Sequence, residues 1–252
     1  MTAEEKKVIY NLLKVSDAYN SGYTREKFNA LMDFFDDVTE PSEKPQESIQ
    51  AQVQEKAIAA PQEAALKSAL TLDELTAKIL RCTRCGLART RNNVVPGEGV
   101  EHPLVMVIGE GPGHNEDMQG HPFVGKAGLL LDKMLAAIQL DRKTNCYITN
   151  IVKCRPPENR NPFPDEQSAC ISFLEAQIHI LKPKMILCMG KISIEKLMNQ
   201  SVSITAAHGQ FFDYNGIPVM PTYHPSALLR NEELKRPAWD DLKKFRAKLN
   251  EI

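Results

Sequence analysis

Four cysteines stand at spacings that could hold a metal centre. Cys82 and Cys85 form a CxxC in RCTRCGLART, Cys154 lies in KCRPPENRNP, and fifteen residues separate it from Cys170 in DEQSACISF. A CxxC puts two thiolates on one centre, and two more distant cysteines complete a four-sulfur site. Zinc and an iron–sulfur cluster both accept that ligand set, so spacing alone does not choose between them. The competing reading is a set of unrelated buried thiols, because free cysteine is among the most buried residue types.

A second group of residues could bind a ligand and act on it. Gly109-Glu110-Gly111-Pro112-Gly113 is a glycine-rich turn that lets backbone approach a ligand closely, at Gly109 and Gly111 in particular. It is neither a P-loop nor a dinucleotide fingerprint, since no Gly-Lys-Ser/Thr closes it and the GxGxxG spacing is absent. Glu116, His121 and Phe123 follow in HNEDMQGHPFVG, Asn150 ends an apolar run, and His224-Pro225-Ser226 opens HPSALLR. Taken singly each has a plain reading: Phe123 as core, Asn150 as a turn residue, Ser226 as a helix N-cap with Leu228 and Leu229 buried behind it.

These residues need a frame, and the hydrophobic pattern supplies one. Strand-like runs cover Leu104–Ile108, Cys146–Thr149, Met185–Met189 and Val219–Tyr223, with helical patterns over Ala127–Ile138, Asp165–Leu181, Ser193–Met198 and about Leu234–Leu249. Thr71 and Glu74 fit a capping box that opens a helix leading into the CxxC. Strands alternating with helices predict an α/β fold with a mainly parallel sheet covered on both faces. Each strand runs into a chemically unusual loop, and in such folds ligands bind outside the carboxyl ends of the strands. One composite site is therefore expected at that edge.

Composition bounds the rest. The 252 residues carry 42% hydrophobic and 25% charged residues, which is ordinary for a globular protein. No run approaches the ~20 apolar residues of a membrane span. The polar, acidic start MTAEEKKVIYNLLK does not read as a secretory signal, so a reducing, cytoplasmic setting is expected, where cysteines serve metals rather than disulfides. Residues 1–75 hold 8 basic and 14 acidic side chains, leaving 23 and 18 for residues 76–252. A mildly basic body is compatible with a polyanionic partner. Residues 1–38 read as a short helical extension and 39–70 as a flexible linker rich in Pro, Gln, Glu and Ala. The folded domain is expected over 71–252, as a monomer, and no partner for the extension is legible.

GEGPG with Glu116-Asp117, then HPFVG, TNIVKCRPPENRNP, the cysteine spacing and HPSALLR, in that order, closely resembles the family 4 uracil-DNA glycosylases, the iron–sulfur branch of their superfamily. The resemblance spans about residues 71–249. It implies a three-layer α/β/α sandwich with a four-stranded parallel sheet, and a [4Fe–4S] cluster on Cys82, Cys85, Cys154 and Cys170. It also implies excision of uracil from DNA to leave an abasic site, the opening step of base excision repair.

The same resemblance implies roles for single residues. A flipped uracil stacks on Phe123, Asn150 reads its edge, and His224 stabilises charge on its O2 side. Relatives in the wider superfamily orient the attacking water with an Asp or Asn where this chain has Gly111, so Glu110 is the first candidate for that task and Glu116 the second. Arg155, Arg160, Ser226 and Arg230 are candidate phosphate contacts, with Leu228 or Leu229 as a wedge into the base stack. The loop CRPPENRNPF lacks the histidine with which one iron–sulfur group traps its product, so ordinary turnover is expected. His114 stands where another branch carries a thymine-excluding tyrosine, leaving that exclusion to Glu116 and the backbone. A non-catalytic replication-associated module and an electron-transfer protein are the alternative readings.

Overall fold

The computed structural model describes residues 71–252; the expected extension and linker over 1–70 lie outside the described residues. The first helix, α1 (Leu72–Leu80), opens on the expected capping box. Glu74 N–H donates to Thr71 Oγ1 at 3.2 Å, and Thr71 N–H donates to the Glu74 carboxylate at 3.0 Å. Leu75 and Ile79, one turn apart, bury its inner face, and the helix ends at Leu80 with Arg81 as its C-cap, immediately before the CxxC.

Six strands form one sheet in the order β1-β3-β2-β4-β6-β5. Four of them pair in parallel, as expected: β2 (Val105–Gly109), β3 (Cys146–Asn150), β4 (Met185–Met189) and β6 (Ile217–Thr222). The two additions are short antiparallel edges, β1 (Glu98–Gly99) on β3 and β5 (Phe212–Tyr214) on β6. The four-stranded expectation is thus corrected to a four-stranded parallel centre with two short flanks. β5 and β6 join through Asn215 and Gly216, both at positive φ, which is the two-residue hairpin turn that an Asn-Gly pair favours. That pairing also starts β6 at Ile217 rather than Val219.

Every residue of β2, β3 and β4 is buried, so their side chains feed two cores in alternation. Met106 and Ile108 face the side covered by α1, α4 (Pro164–Leu181) and α5 (Lys191–Met198). Val105 and Val107 face the side covered by α3 (Lys126–Ala136), α7 (Pro225–Arg230) and α8 (Lys235–Leu249). Three layers result, α/β/α. Two further short helices, α2 (His114–Gln119) and α6 (Ile204–Ala207), lie after β2 and before β5. In chain order the parallel strands run second, first, third, fourth across the sheet, so connections diverge between β2 and β4. That divergence opens a crevice at the carboxyl ends.

Candidate active site

The crevice is a cleft of about 520 Å³. It receives Glu110 and Gly111 from the end of β2, Asn150 from β3, Gly190 and Lys191 from β4, and Tyr223 and His224 from β6. Phe123, Glu116, Arg160, Ser226 and Arg230 complete the walls. The four loops singled out in the sequence therefore do converge.

Asn150 ends β3 with its side chain in the cleft wall and is 2% exposed. Its Oδ1 is the one buried side-chain polar atom among the described residues without a hydrogen-bond partner. A buried acceptor left unpaired costs about 1–3 kcal/mol, so such an atom calls for a partner from outside the chain. Gly109 makes room for it: a Cβ there would collide with Asn150 Oδ1 and stand 2.6 Å from Phe123 Cζ.

Phe123 is buried and held at φ +53°, a conformation costly for a bulky residue. Its surroundings fix it. Arg142 donates to Pro122 O at 2.9 Å and Phe123 O at 3.1 Å while pairing with Asp132 at 2.7 Å. Glu116 Oε1 accepts from the N–H groups of Val124 and Gly125 at 3.1 and 3.2 Å. Glu116 thus spends one oxygen shaping the aromatic loop, which weakens it as a water-orienting group. Arg142 was not legible as a site residue, because its partner atoms are backbone carbonyls twenty positions away.

His224 caps α7: Ser226 N–H donates to His224 Nδ1 at 3.1 Å, and Ser226 Oγ lies 2.7 Å from the same nitrogen. The N-cap is therefore His224, not Ser226. Burial, with the nearby Arg230 cation adding to it against Glu116, pushes the imidazole pKa down to about 4. The ring is neutral near pH 7, and with Nδ1 accepting a backbone N–H its proton sits on Nε2. The His224 ring lies 5.6 Å from that of Phe123. Glu110 lines the same cleft, and burial raises its carboxyl above the usual range. A side chain at Gly111 would meet Val152 Cγ2 at 2.7 Å, so no residue fits there without displacement.

Two proposed DNA contacts need correction. Leu228 is 2% exposed within the α3–α8 core, whereas Leu229 is 49% exposed; helix register makes Leu229 the residue free to act as a wedge. Arg160 donates both Nη groups to Glu166 at 2.7 and 2.8 Å and stacks 3.7 Å over Phe163, so its charge is already matched. Arg155 reaches Asn159 and His114, and Arg230 is exposed at the cleft mouth.

Behind the cleft, Cys82, Cys85, Cys154 and Cys170 line one small cavity with Lys153 and Arg91, whose Nη1 donates to Cys154 Sγ at 3.1 Å. Among the described residues no three His, Cys, Asp or Glu side chains gather closely enough for one metal ion. Zinc draws every sulfur to about 2.3 Å of a single ion. A four-iron cluster takes its four thiolates on separate irons, so its ligands stand farther apart. Four sulfurs on one cavity are a donor set that such a cluster accepts. Cys146 and Cys188 lie within strands, their thiols pushed up to about 12 by burial, and belong to the core.

The chain is similar in sequence to known proteins. The profile of the uracil DNA glycosylase superfamily matches residues 96–243. A type-4 uracil-DNA glycosylase of Thermotoga maritima is 43% identical over 180 residues, covering 70% of this chain and 93% of that one. Those of Sulfurisphaera tokodaii and Archaeoglobus fulgidus are 41% and 37% identical over 184 and 183 residues, covering 70% and 69% of this chain and 84% and 92% of theirs. With the parallel sheet, the cleft and the cysteine cavity in place, the chain belongs to the type-4 family of the uracil-DNA glycosylase superfamily.

Proposed function

We propose that this protein hydrolyses the N-glycosidic bond of uracil in DNA and leaves an abasic site for base excision repair. The observation that carries the reading is the unpaired, buried Oδ1 of Asn150 in a cleft it shares with Phe123 and His224. A stacked base is out of reach in a duplex, so the nucleotide swings out and Leu229 fills the gap it leaves. Phe123 supplies a flat face worth about 1–3 kcal/mol of stacking. The Asn150 amide accepts from uracil N3–H and donates to O4, whereas cytosine presents the reversed pattern. A wrong base leaves buried polar groups unpaired, which is how such a reader discriminates.

As the bond from C1′ to N1 breaks, its electron pair passes to uracil and positive charge grows on the sugar. The neutral His224 donates from Nε2 to uracil O2, a bond that strengthens as the charge develops. Water attacks C1′ and its proton passes to Glu110, whose raised pKa suits it as a base. Glu116 positions the Phe123 loop. Arg155, Arg230 and Ser226 serve the DNA backbone.

The residues that would hold a [4Fe–4S] cluster are Cys82, Cys85, Cys154 and Cys170. When bound it supplies a crosslink among the segment after α1, the loop after β3 and helix α4, holding the DNA-facing loop rigid. Single-turnover rates on matched oligonucleotides bearing uracil, cytosine or thymine test the function. Uracil should be released and cytosine left in place; equal rates for uracil and cytosine would remove Asn150 as the base reader.

A further inference from the structure

The end of β6 carries a buried polar network that the chemistry above leaves unused. Asp241, on α8, is 1% exposed. Thr222, fully buried at the last position of β6, donates from Oγ1 to Asp241 Oδ2 at 2.7 Å. His208, just past α6, sets its Nδ1 at 3.0 and 3.1 Å from the two oxygens of the same carboxylate. A carboxylate only accepts, so Nδ1 carries a proton and donates. A buried carboxylate is costly unless paired, and these two donors hold it. Gly209 leaves room for the pair: its φ is +69°, and a Cβ there would collide with Asp241 Oδ1.

Further links lead from this pair into the cleft. The His208 ring lies against that of Tyr223, with centroids 4.7 Å apart and planes inclined by 39°. Tyr223 is buried, lines the cleft, and is followed in the chain by His224. Gly209 N–H donates to Pro221 O at 2.9 Å, and Gly190 N–H donates to Thr222 O at 2.8 Å. Each of the three residues before His224 is therefore held from outside its own strand segment. The bond from Ser226 N–H turns the His224 ring, but the strand end decides where the ring sits.

We propose that Asp241 and His208 form a positioning pair for His224: through Thr222 and Tyr223 they fix the end of β6, and so set where Nε2 meets uracil O2. The inference rests on the role given to His224 above. Neither side chain is part of the cleft wall, so both act through others. A fully satisfied polar network fixes direction as well as distance, which apolar packing alone does not. Precision matters here, because a displacement of about 1 Å at a reacting group can cost ~10²-fold in rate.

The test uses the full chain as wild type, His208→Ala, Thr222→Val and His224→Ala, each at a temperature where thermal unfolding shows it folded. Three quantities are read: affinity for an oligonucleotide carrying 2′-fluorinated deoxyuridine, which resists cleavage, and single-turnover release of uracil and of 5-fluorouracil. Fluorine on the ring withdraws electrons and stabilises the departing base, so its release leans less on a donor at O2. In His208→Ala and Thr222→Val the uracil rate should fall roughly tenfold while affinity stays within about twofold. The ratio of 5-fluorouracil to uracil rates should rise in both, as it should in His224→Ala, which removes the donor outright. A role in stability alone would lower Tm and leave that ratio where it was.

A wild-type uracil rate in either folded variant breaks the line of contacts and overturns the proposal. So does a rate loss matched by a loss of affinity, or one equal for the two bases. Should His208→Ala fail to fold, Thr222→Val, which removes one hydroxyl and keeps the side chain's shape, decides by the same three readings. A wild type that releases no uracil, or a His224→Ala with an unchanged ratio, removes the functional reading and this inference with it. Expected behaviour of those two beside an unaltered ratio in His208→Ala removes this inference alone.

Discussion

Replacing Asn150 with alanine should make the protein no less stable while crippling it. In the resting fold Asn150 Oδ1 is buried with no partner, and relief of that penalty returns about 1–3 kcal/mol. Against it stand a few lost van der Waals contacts of the amide, ~0.1–0.2 kcal/mol each. The balance runs from neutral to about 2 kcal/mol of added stability, a rise in Tm of up to roughly 5 °C for a domain of this size. Catalysis moves the other way. Two hydrogen bonds to the uracil edge vanish, at about 1–2 kcal/mol each in a closed cleft, so kcat/KM should fall roughly a hundredfold. Thermal unfolding and single-turnover excision on the same preparation check both halves. A variant that loses several degrees in Tm, with an activity loss accounted for by unfolding, would refute the idea that Oδ1 is held in reserve for substrate.

Three further outcomes follow from the geometry. His224→Ala should cut the chemical step by ~10²–10³ while DNA affinity holds, because the Nε2 donor matters most as uracil gains charge; equal losses in rate and binding would point to misfolding of α7. Leu228→Ala should cost about 2–5 kcal/mol of stability as a core truncation, whereas Leu229→Ala should shift stability by less than ~0.5 kcal/mol and slow excision from duplex more than from single-stranded DNA. Denaturant titrations read the first effect and paired substrates the second. Acid sensitivity should also trace to His224: its folded pKa of about 4 lies below the unfolded value, so between pH 6.5 and 4 the unfolded chain binds a proton that the folded one does not. Stability from this group is complete above pH 6.5 and is lost as pH falls toward 4, by at most about 3 kcal/mol. His224→Gln should flatten the wild-type decline between pH 7 and pH 5 in denaturant titrations, and an unchanged slope would contradict the neutral, buried imidazole.

Much of this fold could be read from local pattern, and the failures have physical causes. The runs at β2, β3 and β4 are apolar because both faces are buried, so their positions were legible to within a residue. The edge strands were not. β1 is two residues long and ends in glycine, and β5 is marked mainly by the Asn215-Gly216 turn that pairs it with β6. The site's membership was legible through residue types at strand ends, but the division of labour was not. Whether Leu228 or Leu229 faces solvent depends on helix register against α3 and α8. Glu116 reads as the second candidate to orient the attacking water until its oxygen is found on the backbone of Val124 and Gly125. Lys153 carries no local mark of burial in the sequence, yet it is 1% exposed where β3 and α4 meet. Partners distant in sequence leave no local trace.

The most direct test of the account is to incubate the iron-loaded full chain with an oligonucleotide carrying one uracil and to identify the products by mass. Free uracil and an intact strand bearing one abasic site, in equal amounts and over repeated turnovers, are what the cleft predicts. A strand that stays unmodified beside a folded, iron-loaded protein, or one cleaved with uracil still attached to sugar, would contradict it.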